Sequence, residues 1–164
     1  MKGLELALLL RKIDKKEMVM HVVIRRLLSL LGDLWALPVT LFGLAYVLPC
    51  WALGWYWFDG VERVDGVPRA LAWRVDLDAP SWLLRLWRGW GGHTIGHVVV
   101  LVAGAGLTTL DHELEHVEQC RRLGAFQPIL YGLFLLAIWL GCPQLSPSFD
   151  YPFERDALRK AGQE

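Results

Sequence analysis

The chain has 164 residues and no net charge, with 17 Lys and Arg against 17 Asp and Glu, and 54% of its residues are hydrophobic. This length predicts one domain. The neutral charge excludes a nucleic-acid binder that relies on overall positive charge, and the hydrophobic content excludes a disordered chain.

Charged residues are absent from three blocks, 34–58, 89–110 and 123–149, which together make up almost half of the chain. Long uncharged stretches of this kind are typical of an integral membrane protein, so membrane lipid is an expected partner. The three cysteines are too few and too scattered for a disulfide framework or a cysteine-rich zinc module.

The sequence begins with a basic arm, residues 1–33, which the positive-inside tendency places in the cytoplasm. The first uncharged block, 34–58, follows it and is longer than the roughly 20 residues that a helix needs to cross a bilayer. It ends in the aromatic run Trp55–Phe58, which is typical of the membrane interface. We therefore predict a transmembrane helix over 34–58.

The next region, 59–107, is predicted to contain strands and an interfacial helix. Residues 61–76 suggest two short strands around a turn at Asp65-Gly66, and 81–90 alternate Trp and Leu with Arg as in a helix lying at the membrane surface. A cap over a soluble core would give a similar pattern. Glycines and β-branched residues in the second uncharged block predict a strand near 94–102 and a turn at 104–106, with a second membrane span as the alternative.

The last region, 108–164, is predicted to be helical. Thr108 and Asp111 have capping-box spacing and Gly124 suits a C-terminal cap, which indicates a helix over 109–123. A hydrophobic helix is expected over 128–141. Its length of about 21 Å is too short to cross a bilayer, so it is half-embedded, re-entrant or buried. If the helix starts at 123 instead, it is just long enough to span. Residues 142–153 can extend for up to about 36 Å, so the chain can return.

The chemistry of the sequence centres on His112, Glu113 and His116, which form an HExxH pattern. Residues four apart lie on one face of a helix, so both imidazoles can bind one metal ion. Glu113 is rotated by about 100° from His112. It can therefore take a proton from a metal-activated water without being a ligand. The pattern predicts a zinc site with Glu113 as its general base.

Two histidines leave a zinc ion short of a third protein ligand. Cys120 lies on the same face of the helix as the two histidines. It is about 12 Å along the helix axis from His112, which is too far for both residues to bind one ion. Glu154 is the better candidate, because Pro152 can open a short helix there, and Asp156 is the fallback or an orienting group. His93 and His97 are either groups that contact substrate beside the metal, ligands of a pigment, or ordinary polar residues; the last is the interpretation that we favour.

HELEH at 112–116, followed by ERDA at 154–157, resembles the HExxH plus ExxA signature of the gluzincin metallopeptidases. The resemblance implies that His112, His116 and Glu154 bind zinc and that Glu113 is the general base. HELEHVEQ at 112–119 and PFERDA at 152–157 are also similar to small uncharacterised bacterial membrane proteins. This narrower resemblance implies a bacterial inner membrane location.

These features predict an α+β, membrane-anchored fold with one transmembrane helix, a small strand layer, a zincin-like active-site helix and a second hydrophobic helix. The first functional hypothesis is a zinc metallopeptidase acting on a peptide or a membrane-protein segment, with the strand near 98–102 offering its edge to the substrate. The second is a non-catalytic subunit of a larger membrane complex that contains pigment or redox centres, with a structural or vestigial metal site. No nucleic-acid partner is expected.

Overall fold

The computed structural model describes residues 2–87, 90–141 and 151–162. In these ranges the chain is α+β, with five helices and a four-stranded sheet. The elements in chain order are α1 (Lys2–Ala52), β1 (Tyr56–Val64), β2 (Val67–Val75), α2 (Ser81–Leu86), β3 (Gly92–Ile95), β4 (Val98–Leu101), α3 (Leu107–Leu123), α4 (Phe126–Gly141) and α5 (Pro152–Lys160). The chain divides into two compact units, Met1–Leu34 and Trp35–Glu164.

The first unit is helical along its described length, because α1 begins at Lys2. From residue 27 to its end this unit exposes several large apolar side chains, among them Leu28, Leu31 and Leu34. Within the described residues, one segment of α1, Met20–Ala52, is long and apolar enough to cross a membrane, judged by length and composition alone. The predicted helix over 34–58 was therefore wrong at both of its ends.

The C-terminal end of α1 is set by glycine. Gly54 has a φ of 72°, which favours glycine, and the N–H of Trp55 returns to the Cys50 carbonyl at 2.9 Å. The chain then enters β1 at Tyr56, whose side chain is buried against the sheet. The aromatic run predicted to end a membrane span thus begins the sheet.

The hairpin of β1 and β2 has the predicted turn. Asp65 and Gly66 have φ values of 51° and 76°, as a two-residue type I′ connection requires. Val64 and Val67 are paired on either side of it. The two predicted strands are confirmed.

The second uncharged block forms a hairpin, so both a membrane span and a single strand over 94–102 were wrong. Gly96 separates β3 from β4 with a φ of 66°, and a Cβ on this residue would lie 2.4 Å from the Thr40 nitrogen. A residue with a side chain could neither readily take this φ nor approach α1 this closely, so glycine is required at the turn between the two strands.

The sheet has the order β1-β2-β4-β3, in which β2 and β4 are parallel and the other pairs antiparallel. Strand β4 is central and fully buried, and its side chains alternate between the two faces. Val98 and Val100 pack in one apolar cluster with Val47 of α1 and Leu83 of α2, whereas the cluster on the other face contains Val117 of α3. The sheet therefore lies between the part of α1 around Val47, with α2, and the part of α3 around Val117.

The short helix predicted within 81–90 is present as α2. Leu83 is buried in the apolar core, whereas Trp82 is exposed. Residues 88 and 89 lie outside the described ranges. Because Leu83 packs into the core, α2 covers one side of the apolar core. The location of α2 at a membrane surface stays a prediction.

Helix α3 starts two residues earlier than expected, with Gly106 at its N-cap, and no side chain caps it. The Thr108–Asp111 capping box was therefore wrong, because Thr108 already lies within the first turn. At the other end the N–H of Gly124 reaches the Cys120 carbonyl at 2.6 Å, so the predicted glycine cap is confirmed. Helix α4 begins at Phe126. The segment 142–153 was predicted to bring the chain back after this helix, and only 151–153 of it belong to the described residues.

Candidate metal centre

Three side chains converge where α3 meets α5. The Nε2 atoms of His112 and His116 are 3.1 Å apart, and Oε2 of Glu154 lies 3.2 Å from the first and 3.4 Å from the second. Each residue thus offers one donor atom to a common point. Two imidazole nitrogens and a carboxylate oxygen are the donors that zinc binds in catalytic sites.

The spacing of the three atoms fits a tetrahedral ion. Ligands bound to zinc at 2.0–2.2 Å lie about 3.3–3.6 Å from one another at the corners of a tetrahedron. The three observed distances lie within about 0.2 Å of that range, so small side-chain movements suffice to bind an ion.

The secondary structure explains why these atoms meet. His112 and His116 are one helical turn apart on α3, which is held by the sheet through Val117. Helix α5 starts with Pro152 in its first turn and places Glu154 there as well. Lys160 near the end of α5 donates to Glu115 of α3 at 2.8 Å, which ties the two helices together.

Electrostatics in the cluster keep Glu154 ionised. Burial alone would raise its pKa, but hydrogen bonds from His112 and His116 outweigh burial and lower the pKa to about 2. Burial likewise opposes protonation of His116, yet the neighbouring Glu154 carboxylate outweighs it and raises the pKa of this imidazole. A carboxylate held in its charged form is ready to bind a cation.

Gln119 links two of the candidate ligands. Its amide nitrogen donates to the Phe153 carbonyl at 2.9 Å, next to Glu154, and its Oε1 lies 2.9 Å from His116 Nδ1. Since the amide oxygen can only accept, Nδ1 is the donor and the neutral ring keeps its Nε2 lone pair for a metal. One buried amide thus sets both the His116 tautomer and the position of the segment that carries Glu154.

Replacing Gln119 with Leu should weaken zinc binding by about 10- to 100-fold, because both hydrogen bonds are lost. A zinc competition titration against a chromophoric chelator in detergent would measure the affinity. Gln119→Glu retains an acceptor for His116 but no donor for Phe153, so its affinity should fall between those of the wild type and Gln119→Leu. In the metal-free protein, at a pH where the His116 ring is neutral, nitrogen-15 spectra should show mixed tautomers in Gln119→Leu alone. Wild-type zinc affinity in that variant would contradict the assignment.

Glu113 lies beside the cluster but points to a different partner. Its side chain is 4% exposed, and its Oε2 accepts a 2.7 Å hydrogen bond from the Thr94 hydroxyl on β3. Burial raises the pKa of Glu113, opposed by the nearby His116 and by the Thr94 hydrogen bond. Thr94 was not singled out from the sequence, since only the register of β3 on β4 brings it to α3.

His93 reaches the same cavity from the other face of β3. Its ring stacks on Trp87 with the centroids 3.9 Å apart, and its buried Nε2 has no hydrogen-bond partner among the described residues. Burial lowers the pKa of His93 to about 4, so the ring is neutral at pH 7. Of the two candidate substrate-contacting histidines, this is the one that lines the cavity.

Three other candidates lie away from the cluster. His97 is hydrogen-bonded to Thr40 of α1, at 2.7 Å from its Nδ1 and 3.1 Å from its main-chain nitrogen. Asp156 pairs with Arg159 and Lys160 on the exposed side of α5 and does not orient a ligand. Cys120 is fully buried in an apolar cluster with residues of α1, as expected for a packed thiol.

The cluster opens into a cavity of about 870 Å³. Its polar lining contains the three candidate ligands together with Glu113, Thr94 and His93. Its apolar walls come from α1 and α4, and β3 forms a further side; the residues that complete the lining are Pro38, Val39, Phe42, Trp90, Gly91, Gly92, Ile95, Thr109, Ala125, Gln127, Pro128, Tyr131, Gly132, Leu135 and Leu158. A metal at the cluster would therefore be accessible to a ligand of considerable size.

Comparisons of the chain with protein-family models, with curated proteins and with solved structures found no match.

Proposed function

We propose that the chain is a zinc-dependent metallopeptidase anchored in a membrane. The observation that carries the proposal is the convergence of His112, His116 and Glu154 at the end of a cavity that also holds buried Glu113. The gluzincin resemblance of the HExxH and ExxA motifs gives the same four residues the same roles.

The number of ligands favours catalysis over a structural site. Structural zinc sites have four protein ligands, whereas catalytic sites have three and leave a position open. His112, His116 and Glu154 would hold the ion, and the open cavity leaves room beside them. When bound, zinc supplies a Lewis acid that makes water more acidic and polarises a carbonyl group.

Glu113 supplies the proton transfers of amide hydrolysis. It accepts a proton from the attacking water as the new carbon–oxygen bond forms, and gives a proton to the amide nitrogen as the carbon–nitrogen bond breaks. The second proton of the water also passes to the leaving nitrogen, so the products are a carboxylate and a protonated amine, and Glu113 ends ionised again. Thr94 holds Glu113 Oε2 throughout, which fixes the direction in which the carboxylate faces the cavity.

The strand that supports an extended substrate is β3. The expected edge near 98–102 was wrong, because β4 pairs with a strand on each side and has no free edge. Among the residues that the structure describes, β3 pairs in the sheet with β4 alone, and all four residues of β3 line the cavity. Its unpaired main-chain groups can hydrogen-bond an extended peptide beside Glu113.

The membrane anchor rests on α1 and on the surface of α4. The segment Met20–Ala52 has the length and apolar composition of a span. Helix α4 exposes large apolar side chains on more than one face, including Leu133, Leu135 and Leu136. Surfaces of this kind are costly in water and indicate lipid or a protein partner. We place the chain in a bacterial inner membrane on the resemblance alone.

The alternative, a non-catalytic subunit of a larger complex, uses the exposed apolar surface for a protein partner. This alternative assigns no role to Glu113, because a structural metal ion needs no buried carboxylate beside its ligands. Metal uptake without hydrolysis of any peptide, in a protein isolated only within a stable assembly, would favour this alternative.

Removal and return of the metal test the proposal. The purified full-length chain should contain one zinc ion and hydrolyse peptides, lose activity on dialysis against a chelator, and recover it with one equivalent of zinc. Metal analysis and a fluorogenic peptide assay on the same samples measure both quantities. Equal activity before and after metal removal, or no stoichiometric uptake of metal, would refute it.

A further inference from the structure

Two helices, α1 and α4, form strongly apolar walls of the cavity at the metal centre. Helix α1 contributes Pro38, Val39 and Phe42, and α4 contributes Tyr131 and Leu135 among others. Its volume of about 870 Å³ is near the upper end for ligand sites, so it accommodates several side chains of a substrate. The walls favour a substrate that is apolar over more than one residue.

The rim of the cavity is apolar as well. Phe42 is 69% exposed and Leu135 is 46% exposed, although both line the cavity. They continue the exposed apolar surfaces of α1 and α4, to which Leu41 and Leu136 belong. A rim of this composition is more stable against lipid than against water.

The charged residues of the cavity restrict the class of substrate further. Glu113 and Glu154 are the only acidic side chains in its described lining, and no Lys or Arg lines it there. In the described lining, a terminal carboxylate, an acidic peptide or the phosphate of a lipid would therefore find no cationic side chain to pair with.

We infer that the substrate is an uncharged, apolar internal segment of a membrane-embedded polypeptide, which enters the cavity from the lipid side between α1 and α4. This inference rests on the proposed function and specifies its substrate class. The segment lies extended along β3, where Thr94 and Glu113 meet the scissile amide, and its side chains occupy the apolar walls. Close packing of those side chains against the walls and main-chain hydrogen bonds to β3 supply the binding free energy, because transfer from lipid to an apolar cavity gives no hydrophobic gain.

The test uses the zinc-loaded full-length chain in phosphatidylcholine vesicles with two fluorogenic substrates that share the same residues around the scissile amide. One substrate carries these residues within an uncharged apolar stretch of bilayer length, and the other flanks them with Lys and Glu so that it is water-soluble. The apolar substrate should be cleaved with a kcat/KM at least about tenfold higher, because charged flanks are costly in an apolar site.

Leu135→Arg places a charge on the rim, and Leu136→Arg is its matched control on an adjacent, similarly exposed position that does not line the cavity. Leu135→Arg should lower kcat/KM for the apolar substrate at least about tenfold, mainly through KM, with zinc content unchanged. Leu136→Arg carries the same cost of a charge on this apolar surface but leaves the cavity lining unchanged, so its kcat/KM should exceed that of Leu135→Arg by at least about tenfold.

The outcomes separate the substrate class from the activity. Similar cleavage of both substrates, together with equal activity of the two variants, would overturn the inferred substrate class and leave the peptidase intact. Release of fatty acid from the vesicle lipid, with no peptide cleaved, would overturn both. Stoichiometric zinc without hydrolysis of either peptide would overturn the proposed function and the inference with it.

Discussion

Replacing Glu113 with Gln should abolish peptide hydrolysis while leaving zinc bound. Gln has the size and shape of Glu but cannot take a proton from water, so the loss should reach about 10²- to 10⁴-fold in kcat, as for other general bases. The Thr94 hydroxyl can still donate to the amide oxygen of Gln, so the contact with β3 is retained. Metal analysis and the fluorogenic assay, run on the same preparation, measure both effects.

Asp111→Asn is the control for this substitution. Asp111 lies on the same helix, two residues before Glu113, but is exposed and does not line the cavity. The change also converts a carboxylate to an amide, so a general effect of lost negative charge on α3 should appear in both variants. Full activity in Glu113→Gln, or a loss of zinc from it, would contradict the assigned role.

Single replacements of His112, His116 or Glu154 by Ala should each remove stoichiometric zinc. Each variant leaves two donors for an ion that needs three from the protein, so the loss of affinity should exceed the roughly 100-fold effect of an outer-shell change. Competition titration with a chelator measures the affinity, and activity should be lost in proportion to the metal. Glu154→Ala is the most informative, because Glu154 comes from a separate helix.

His21→Ala serves as the matched control for the two histidines. His21 is exposed on α1, far in sequence from the cluster, so its removal should leave zinc content and activity unchanged. Retention of one zinc ion by all three cluster variants would rule out the proposed centre. Retention by Glu154→Ala alone would require a different third ligand.

Local sequence signals predicted the elements that carry the site. The HExxH spacing indicates a helix with both histidines on one face, and Gly124 marks its end. Pro152 indicates the start of a short helix at Glu154. These features act within a few residues of each other, so they are readable from the sequence without knowledge of the fold.

The boundaries of α1 and the hairpin of β3 and β4 could not be predicted from local sequence signals. The uncharged block 34–58 has the composition of a membrane span to its last residue, yet Tyr56 pairs with Val75 as a strand. Gly96 divides the second block with a positive-φ turn, at a point where Thr40 of α1 lies too close for a residue with a side chain. Burial against a distant element overrode the local hydropathy in both places.

The partners of the site residues were also decided by the tertiary structure. Gln119 is three residues after His116, so their proximity on α3 follows from helix geometry. Its second contact, with Phe153, depends on how α5 packs. Thr94 meets Glu113 only because β3 pairs with β4 in one register, and a shift of one residue would put Thr94 on the opposite face.

The sequence by itself thus determined the chemistry that is available: two histidines and a glutamate on one helix, a second carboxylate downstream, and long uncharged segments around them. The tertiary structure decided which groups meet. It brought Glu154 to the histidines, placed His93 on the cavity and His97 against α1, and built that cavity from α1, α4 and β3. Residue type and helical spacing are local properties, whereas contacts between elements distant in sequence depend on the packing of the whole fold.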